Sequence, residues 1–327
     1  LPVGGVVDVR AELDRAARST VLEPAELRDV GSCLYALDRV RRWLDERADK
    51  APELHALSAT IQPELDLVGL LVDAFEPNGD LSGETFPEIA GLRTRIGQLK
   101  ATIRETLEEI VRGDSMGGAL QDRYVTERGG RFVVPVRAGF KRSGMGIVHG
   151  TSQSGETVFL EPALVVERTN QLKEVEGALL REERRVLTQL SMRVAHAVPE
   201  ISQALAAAVE LDLVCARAGL GERLGGRIPA VGDDGVVQLQ DARHPVLALR
   251  GVDVVPNDLR LDGRCPGLVL TGPNTGGKTI ALKTLGLCVL MVRAGIPIPC
   301  GVDSRVDLFS PVVADIGDLQ AVAEDLS

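Results

Sequence analysis

The sequence predicts a mainly helical chain with an α/β part, and three observations lead to that prediction. Apolar residues recur at spacings of three and four before residue 112 and after residue 162, which is typical of amphipathic helices. Between these stretches lie two pairs of short β-prone runs, each pair joined by a glycine-containing turn. A glycine-rich loop follows near residue 272. We therefore predict four parts: residues 1–112, 113–161, 162–230 and 231–327.

The composition is typical of a globular protein in aqueous solution. With 44% hydrophobic residues in a chain of 327, there is enough apolar material for the cores of two or three domains. The longest apolar runs are far shorter than a membrane-spanning helix, and no secretory signal pattern is visible. The five cysteines are scattered without a C-x-x-C pair, which predicts buried, reduced thiols. We expect a cytoplasmic protein with no membrane partner.

Two long helices are predicted before residue 112. Pro24 suits the first turn of a helix, and an apolar stripe follows it. That stripe consists of Leu27, Val30, Leu34, Leu37, Val40, Trp43 and Leu44. After the break EPNGDLSGETFP, a second helix is predicted from about Glu88 to Arg112. The opposite, charged faces are ordinary solvated surface, so this part carries no functional prediction.

The pattern then becomes strand-like. RYVTERGGRFVVPV predicts a β-hairpin that turns at Gly129-Gly130, and GIVHGTSQSGETVFLEP predicts a second that turns between Ser152 and Gly155. A helix of about 35 residues, or about 50 Å, is predicted after Pro162. Pro199 should end it and start another helix. The predicted architecture is a small β-module between long helices.

The predicted β-module is basic in a chain whose net charge is −10. Between Gln121 and Arg142, six cations stand against two acidic residues. Ordinary hairpin charge is one interpretation, and a surface that grips nucleic-acid phosphates is the other. The candidate contacts are Arg128, Arg131, Arg137, Lys141 and Arg142. Because the pattern shows no aromatic interleaving for stacking on single strands, the second interpretation favours duplex or structured nucleic acid.

The strongest chemical motif is an octapeptide that matches G-x-x-x-x-G-K-[ST]. It consists of Gly272, Pro273, Asn274, Thr275, Gly276, Gly277, Lys278 and Thr279. Leu268-Val269-Leu270 predicts a strand before the loop, and a helix is predicted after it. Backbone N–H groups of such a loop wrap an anion, the lysine reaches the outer phosphates and the threonine hydroxyl holds Mg²⁺. The motif therefore predicts binding of ATP or ADP with Mg²⁺.

The loop TGPNTGGKT, with Pro-Asn inside it, resembles the MutS family more than a generic nucleotide-binding loop. Segments at 242–245 (ARHP), 255–258 (VPND) and 314–320 (ADIGDLQ) resemble the bacterial MutS-two branch. LQDRYVTERGGRFVVPVRAGF and GIVHGTSQSGETVFLEP resemble that branch too. Leu319 and Ala321 stand where polar residues of the pattern are expected.

The resemblance implies a homodimeric ATPase of the ABC-like class with a helical core, lever helices, a β-rich clamp and a P-loop ATPase domain. Residues 1–112 and 162–230 then supply the core and the two lever arms, 113–161 the clamp, and 231–327 the start of the ATPase domain. Val255 is expected to contact the adenine. For the whole protein, the resemblance implies suppression of recombination on branched DNA and an endonuclease domain; some members act on collided ribosomes.

Two further motifs are discounted. Phe86-Pro87-Glu88 matches the F-x-E pattern of mismatch-reading relatives, but it lies in a loop between predicted helices, so we interpret it as chance. Val312 to Asp315 resembles a Walker B strand, but no Glu follows Asp315. Without Walker B carboxylates, the 327-residue chain is expected not to hydrolyse ATP. His149 and His244 are expected to be structural.

Three functions stay open at this point. The first is ATP-controlled binding of double-stranded or branched DNA, and the second is action on ribosomes through the same basic module. The third is a non-catalytic dimerisation scaffold whose loop binds no nucleotide.

Overall fold

The computed structural model of the protein describes residues 2–140, 144–272 and 277–315. It divides into two compact units, Pro2–Ala206 and the described residues from Ala207 onward. The helices are α1 (Arg10–Ala17), α2 (Pro24–Asp45), α3 (Pro52–Leu57), α4 (Leu65–Asp73), α5 (Pro87–Arg112), α6 (Ala163–His196), α7 (Val198–Arg223), α8 (Pro245–Leu249) and α9 (Lys278–Arg293). The strands are β1 (Thr126–Arg128), β2 (Arg131–Arg137), β3 (Gly146–Thr151), β4 (Thr157–Pro162), β5 (Val237–Ala242), β6 (Asn257–Leu261) and β7 (Arg305–Val306). The mainly helical prediction with a β-containing part is confirmed.

Helix α2 begins where the sequence predicts, because its start is encoded locally. Pro24 lies in its first turn, and Glu23 and Glu26 form a capping box in which the Glu26 carboxylate accepts the Glu23 N–H at 2.8 Å. All residues of the predicted stripe are buried except Trp43, which is half-buried beneath the Arg47 guanidinium. Each large apolar side chain buried in this way contributes about 1.5–3 kcal/mol.

Helices α5 and α6 lie side by side and run in opposite directions. Three ion pairs establish this, since residue numbers rise along α5 as they fall along α6. The pairs are Glu88–Arg185 at 3.4 Å, Arg93–Glu183 at 3.2 Å and Lys100–Glu176 at 3.2 Å. Such partly exposed pairs stabilise little, so apolar packing holds the two helices together. With 34 residues, α6 is about 51 Å long, which confirms the predicted long helix.

Both predicted β-hairpins are confirmed, and they join into one antiparallel sheet in the order β1-β2-β4-β3. Gly129 and Gly130 both have positive φ, at 58° and 70°, as a tight two-residue hairpin turn requires. The inner strands share a core with the C-terminal half of α5 and the start of α6. That core includes Ile103, Leu107, Phe132, Val134, Val136, Leu160, Val165 and Leu172. Apolar packing therefore fixes the β-module to both long helices.

Gly146 on β3 lies so close to the backbone of β4 that it has no room for a side chain. A Cβ at this position would lie 1.9 Å from the Glu161 carbonyl oxygen, whereas a Cβ at Gly150 on the same strand would meet nothing within 4 Å. Both glycines have positive φ, at 149° and 157°, so alanine is strained at either position. We expect Gly146→Ala to lower the free energy of unfolding by about 1–3 kcal/mol more than Gly150→Ala does, measured by urea denaturation. Equal losses in the two variants would contradict the close approach of the strands.

The unit from Ala207 onward contains a second antiparallel sheet, in the order β6-β5-β7. It shares a core with helix α9 and the segment before β7. This core includes Val237, Leu239, Leu259, Cys288, Val289, Ile298 and Val306. Next to this core, Arg305 and Asp307 form an ion pair at 2.8 Å. The hydrogen bond from the Arg305 guanidinium lowers the pKa of Asp307 to about 2.

The predicted strand Leu268-Val269-Leu270 is wrong. These residues form no regular structure, and Val269 is 84% exposed. A buried parallel strand requires hydrogen-bonding neighbours and covered faces. In the described part of this unit the named strands pair antiparallel with one another, and none of them pairs with residues 268–270. An apolar run alone therefore does not form a strand here. The four-part domain division stays a prediction.

The prediction of buried thiols is confirmed for Cys33, Cys288 and Cys300 and wrong for two others. Cys215 is half-buried, and Cys265 is exposed in a turn where its backbone pairs with Asp262. Burial raises the pKa of Cys33 to about 11 and that of Cys288 to about 12, so both thiols are protonated at neutral pH. Among the helices that the structure describes, none is long and apolar enough to cross a membrane.

Candidate functional site

The ends of the glycine-rich loop are described, and both have a backbone conformation that glycine adopts readily. Gly277 has φ 79°, in the left-handed region, and helix α9 begins directly after it at Lys278. Gly272 also has positive φ, at 149°. Residues 273–276 lie outside the described residues. The first N–H groups of a helix have no intrahelical partner, so the start of α9 has a positive potential that favours a phosphate.

Lys278 folds back toward the first residue of the loop. Its ammonium group donates a hydrogen bond to the Gly272 carbonyl oxygen, so the side chain reaches from the end of the loop to its start. Thr279, the predicted Mg²⁺ ligand, is exposed in the first turn of α9. The described residues therefore fit a nucleotide phosphate with its Mg²⁺: Lys278 would hold the phosphate and the Thr279 hydroxyl would hold the Mg²⁺, which would supply positive charge to offset that of the phosphates.

Val255, the predicted adenine contact, lies between α8 and β6 with 79% of its surface exposed. The Asn257 side-chain amide donates to its carbonyl oxygen at 3.1 Å, which shapes this segment. Helix α8 packs on α9, and His244 lies at the N-terminal end of α8. Burial lowers the pKa of His244, and the positive charge of Lys283 on α9 adds to that effect. A neutral imidazole therefore lies close to the helix that carries the loop, and its buried Nδ1 has no hydrogen-bond partner among the described residues.

The two discounted motifs take ordinary structural positions. Phe86 precedes the first turn of α5, and Glu88 lies in that turn and pairs with Arg185 on α6. Residues 311–315 form no strand, and Asp315 is exposed. Asp318 and Gln320 lie outside the described residues. The structure gives no support to a Walker B role for Asp315.

The five predicted nucleic-acid contacts are not equivalent. Arg128 and Arg137 are exposed at opposite ends of the first hairpin, and the Arg128 guanidinium lies 4.4 Å from the centre of the Phe159 ring. Arg131 is only 25% exposed and donates to Asn170 Oδ1 at 2.8 Å. Lys141 and Arg142 lie outside the described residues. Arg128 and Arg137 are therefore available to a ligand, whereas Arg131 is held by its neighbours.

Arg131 belongs to a cluster around a fully buried carboxylate. The Glu161 side chain is 0% exposed, and Arg131 Nη1 lies 3.3 Å from its Oε1. His149 Nε2 lies 2.7 Å from Glu161 Oε2, so the tautomer with its proton on Nε2 donates to the carboxylate. His149 therefore has a structural partner, as predicted. A buried carboxylate with two such partners ties strands β2, β3 and β4 together.

Comparison with known proteins gives one consistent result. No protein-family model matches the chain. The chain is 40% identical over 324 residues to a protein named endonuclease MutS2 from Pelotomaculum thermopropionicum, covering 99% of the chain and 41% of that protein. It is 35% identical to endonuclease MutS2 of Bacillus velezensis and to putative endonuclease MutS2 of Bacillus subtilis, covering 100% of the chain and 42% of each. The chain thus spans about two fifths of the length of these relatives.

Proposed function

Because the chain belongs to the MutS2 branch of the MutS family, we propose that it binds ATP at the loop Gly272–Thr279 and nucleic acid at its β-module. The whole protein would be a homodimeric ATPase that acts on double-stranded or branched DNA and, as the name of its relatives indicates for them, cuts nucleic acid. In this proposal, ATP binding controls the contact between the β-module and the nucleic acid.

The observation that carries the nucleotide part is the geometry at the start of α9. Three features come together there. Gly277 has a left-handed conformation, the Lys278 side chain folds back to the start of the loop, and the N-terminus of α9 follows Gly277 directly. The glycine lets backbone N–H groups turn toward an anion, and the ammonium group and the helix N-terminus both favour the negative charge of a phosphate. Thr279 adds the hydroxyl that a Mg²⁺–ATP complex requires.

The nucleic-acid part is supported by the placement of the exposed cations on the sheet. Arg128 and Arg137 are exposed on a module whose inner face is already occupied by the core with α5 and α6. In a chain of net charge −10, a local excess of cations is where a phosphate backbone would bind. Contacts of this kind read no base sequence, which suits a protein that recognises the form of DNA.

A salt titration tests this proposal. We expect the chain to bind a four-way DNA junction more tightly than a duplex of equal length, with an affinity that falls steeply as salt rises. A variant with glutamine at Arg128, Arg137, Lys141 and Arg142 should bind both DNAs more weakly. Its salt slope should be lower by up to about 3 to 4, because each lost phosphate contact removes about 0.9 from the slope.

The matched control replaces four exposed arginines by glutamine in the helical part of the same unit. These are Arg18, Arg39, Arg95 and Arg181. The control should leave the salt slope close to that of the wild-type chain. Equal flattening in both variants would show a general charge effect and contradict the proposed surface. Failure of the wild-type chain to bind either DNA would contradict DNA binding by this part of the protein.

A further inference from the structure

A groove runs between the C-terminal half of α5 and the segment that leads into β1. We refer to it as the α5–β1 groove; its volume is about 720 Å³, and its lining includes Arg104, Arg112, Arg123, Tyr124 and Phe132. Small-ligand sites commonly have volumes of about 300–1,000 Å³, so a nucleotide would fit. The groove lies in the same β-module as the proposed nucleic-acid surface, but it shares none of the five predicted contact residues.

Two cations of the groove are spaced for phosphates that lie several nucleotides apart on one strand. Arg104 and Arg112 both line the groove from α5, and a separation of eight residues places them about 12 Å apart along the helix. One strand of a duplex advances about 3.4 Å per nucleotide, so this distance spans three to four steps. Arg112 pairs with Glu108 at 2.7 Å, but the pair is exposed and weak, so a phosphate can compete for the arginine.

The groove also offers an aromatic face. Tyr124 is 46% exposed and follows Arg123 in the chain, while Phe132 is buried beneath with the Arg104 guanidinium 5.8 Å from its ring centre. A single exposed tyrosine is ordinary, but this one lines a groove that also holds three arginines. An aromatic ring beside cations is the arrangement on which unpaired bases stack.

We propose that the α5–β1 groove binds an unpaired nucleotide next to a duplex, with its base on Tyr124 and nearby phosphates of the same strand on Arg104, Arg112 and Arg123. The proposal rests on the proposed nucleic-acid function and adds to it a class of substrate: duplexes with single-stranded segments. Bases inside a duplex are stacked on one another and cannot offer a free face to Tyr124. Glu108 and Glu127, which also line the groove, can accept hydrogen bonds from base amino groups.

The test compares a blunt duplex with the same duplex carrying a short single-stranded overhang that contains a fluorescent adenine analogue. The 327-residue chain should bind the overhang substrate at least about fivefold more tightly and change the analogue's fluorescence on stacking. Tyr124→Ala should remove this preference and leave the affinity for the blunt duplex unchanged, whereas Tyr124→Phe should retain it. Tyr35→Ala, at the other exposed tyrosine, is the control.

The outcomes separate this proposal from the one on which it rests. If the blunt duplex binds but Tyr124→Ala keeps the full overhang preference, or the wild-type chain shows none, the groove proposal is overturned and the phosphate-binding surface stands. If the wild-type chain binds neither substrate, both proposals are overturned. The overhang is made once in DNA and once in RNA, and a preference in either supports the groove and identifies its ligand.

Discussion

Replacing Lys278 by alanine is expected to weaken ATP binding by about 10- to 100-fold, because a charge-assisted bond to phosphate contributes about 1.5–3 kcal/mol. In the structure the ammonium group is already held at the start of the loop by its hydrogen bond to the Gly272 carbonyl. It can therefore exchange that oxygen for a phosphate oxygen with little rearrangement. Titration calorimetry with Mg²⁺–ATP measures the change directly.

Lys283→Ala provides the matched control for this prediction. Lys283 is exposed on the same helix, and its removal takes away the same charge without touching the loop. The control should bind ATP about as tightly as the wild-type chain. An unchanged affinity in Lys278→Ala would exclude the loop as the nucleotide site, whereas no ATP binding by the wild-type chain would favour a scaffold that binds no nucleotide.

The parts of the fold that the sequence predicts well are those with local signals. Pro24 and the capping box at Glu23 and Glu26 define the start of α2, and Gly129-Gly130 defines a hairpin turn through backbone conformation alone. The strand at 268–270 could not be predicted in this way. A parallel strand depends on neighbours distant in the chain, and an apolar run carries no information about whether they are present.

For the candidate site, the excess of cations could be predicted from the sequence, but which of these cations are available to a ligand could not. Arg128 and Arg131 are equivalent in a count of cations, yet one is exposed and the other is bound to Glu161 and Asn170. Glu161 lies near the end of a strand, and nothing in the sequence indicates that it is buried. A carboxylate is rarely buried unless it has partners, and the sequence does not show which residues those partners are. Tyr124 could not be predicted as a contact from the sequence, because one aromatic residue among cations does not form a pattern. Its position in the α5–β1 groove is what indicates a role.

Replacing Glu161 by alanine is expected to lower the free energy of unfolding by about 3–5 kcal/mol, the usual cost of breaking a buried ion pair by removing one partner. The substitution leaves the Arg131 guanidinium and the His149 imidazole, both about a quarter exposed, without their carboxylate. It also removes a group that contacts side chains from both β2 and β3. Urea denaturation followed by circular dichroism measures the loss.

Two variants separate the buried cluster from a general effect of removing a carboxylate. Glu156→Ala, at an exposed position just before β4, should change the free energy of unfolding by less than about 0.5 kcal/mol. In an Arg131→Met, His149→Phe background, Glu161→Leu should be tolerated far better than Glu161→Ala is in the wild-type chain, because both partners of the carboxylate are then apolar as well. If Glu161→Ala proves no more harmful than Glu156→Ala, the carboxylate does not hold the strands together, and Arg131 returns to the set of cations available to nucleic acid.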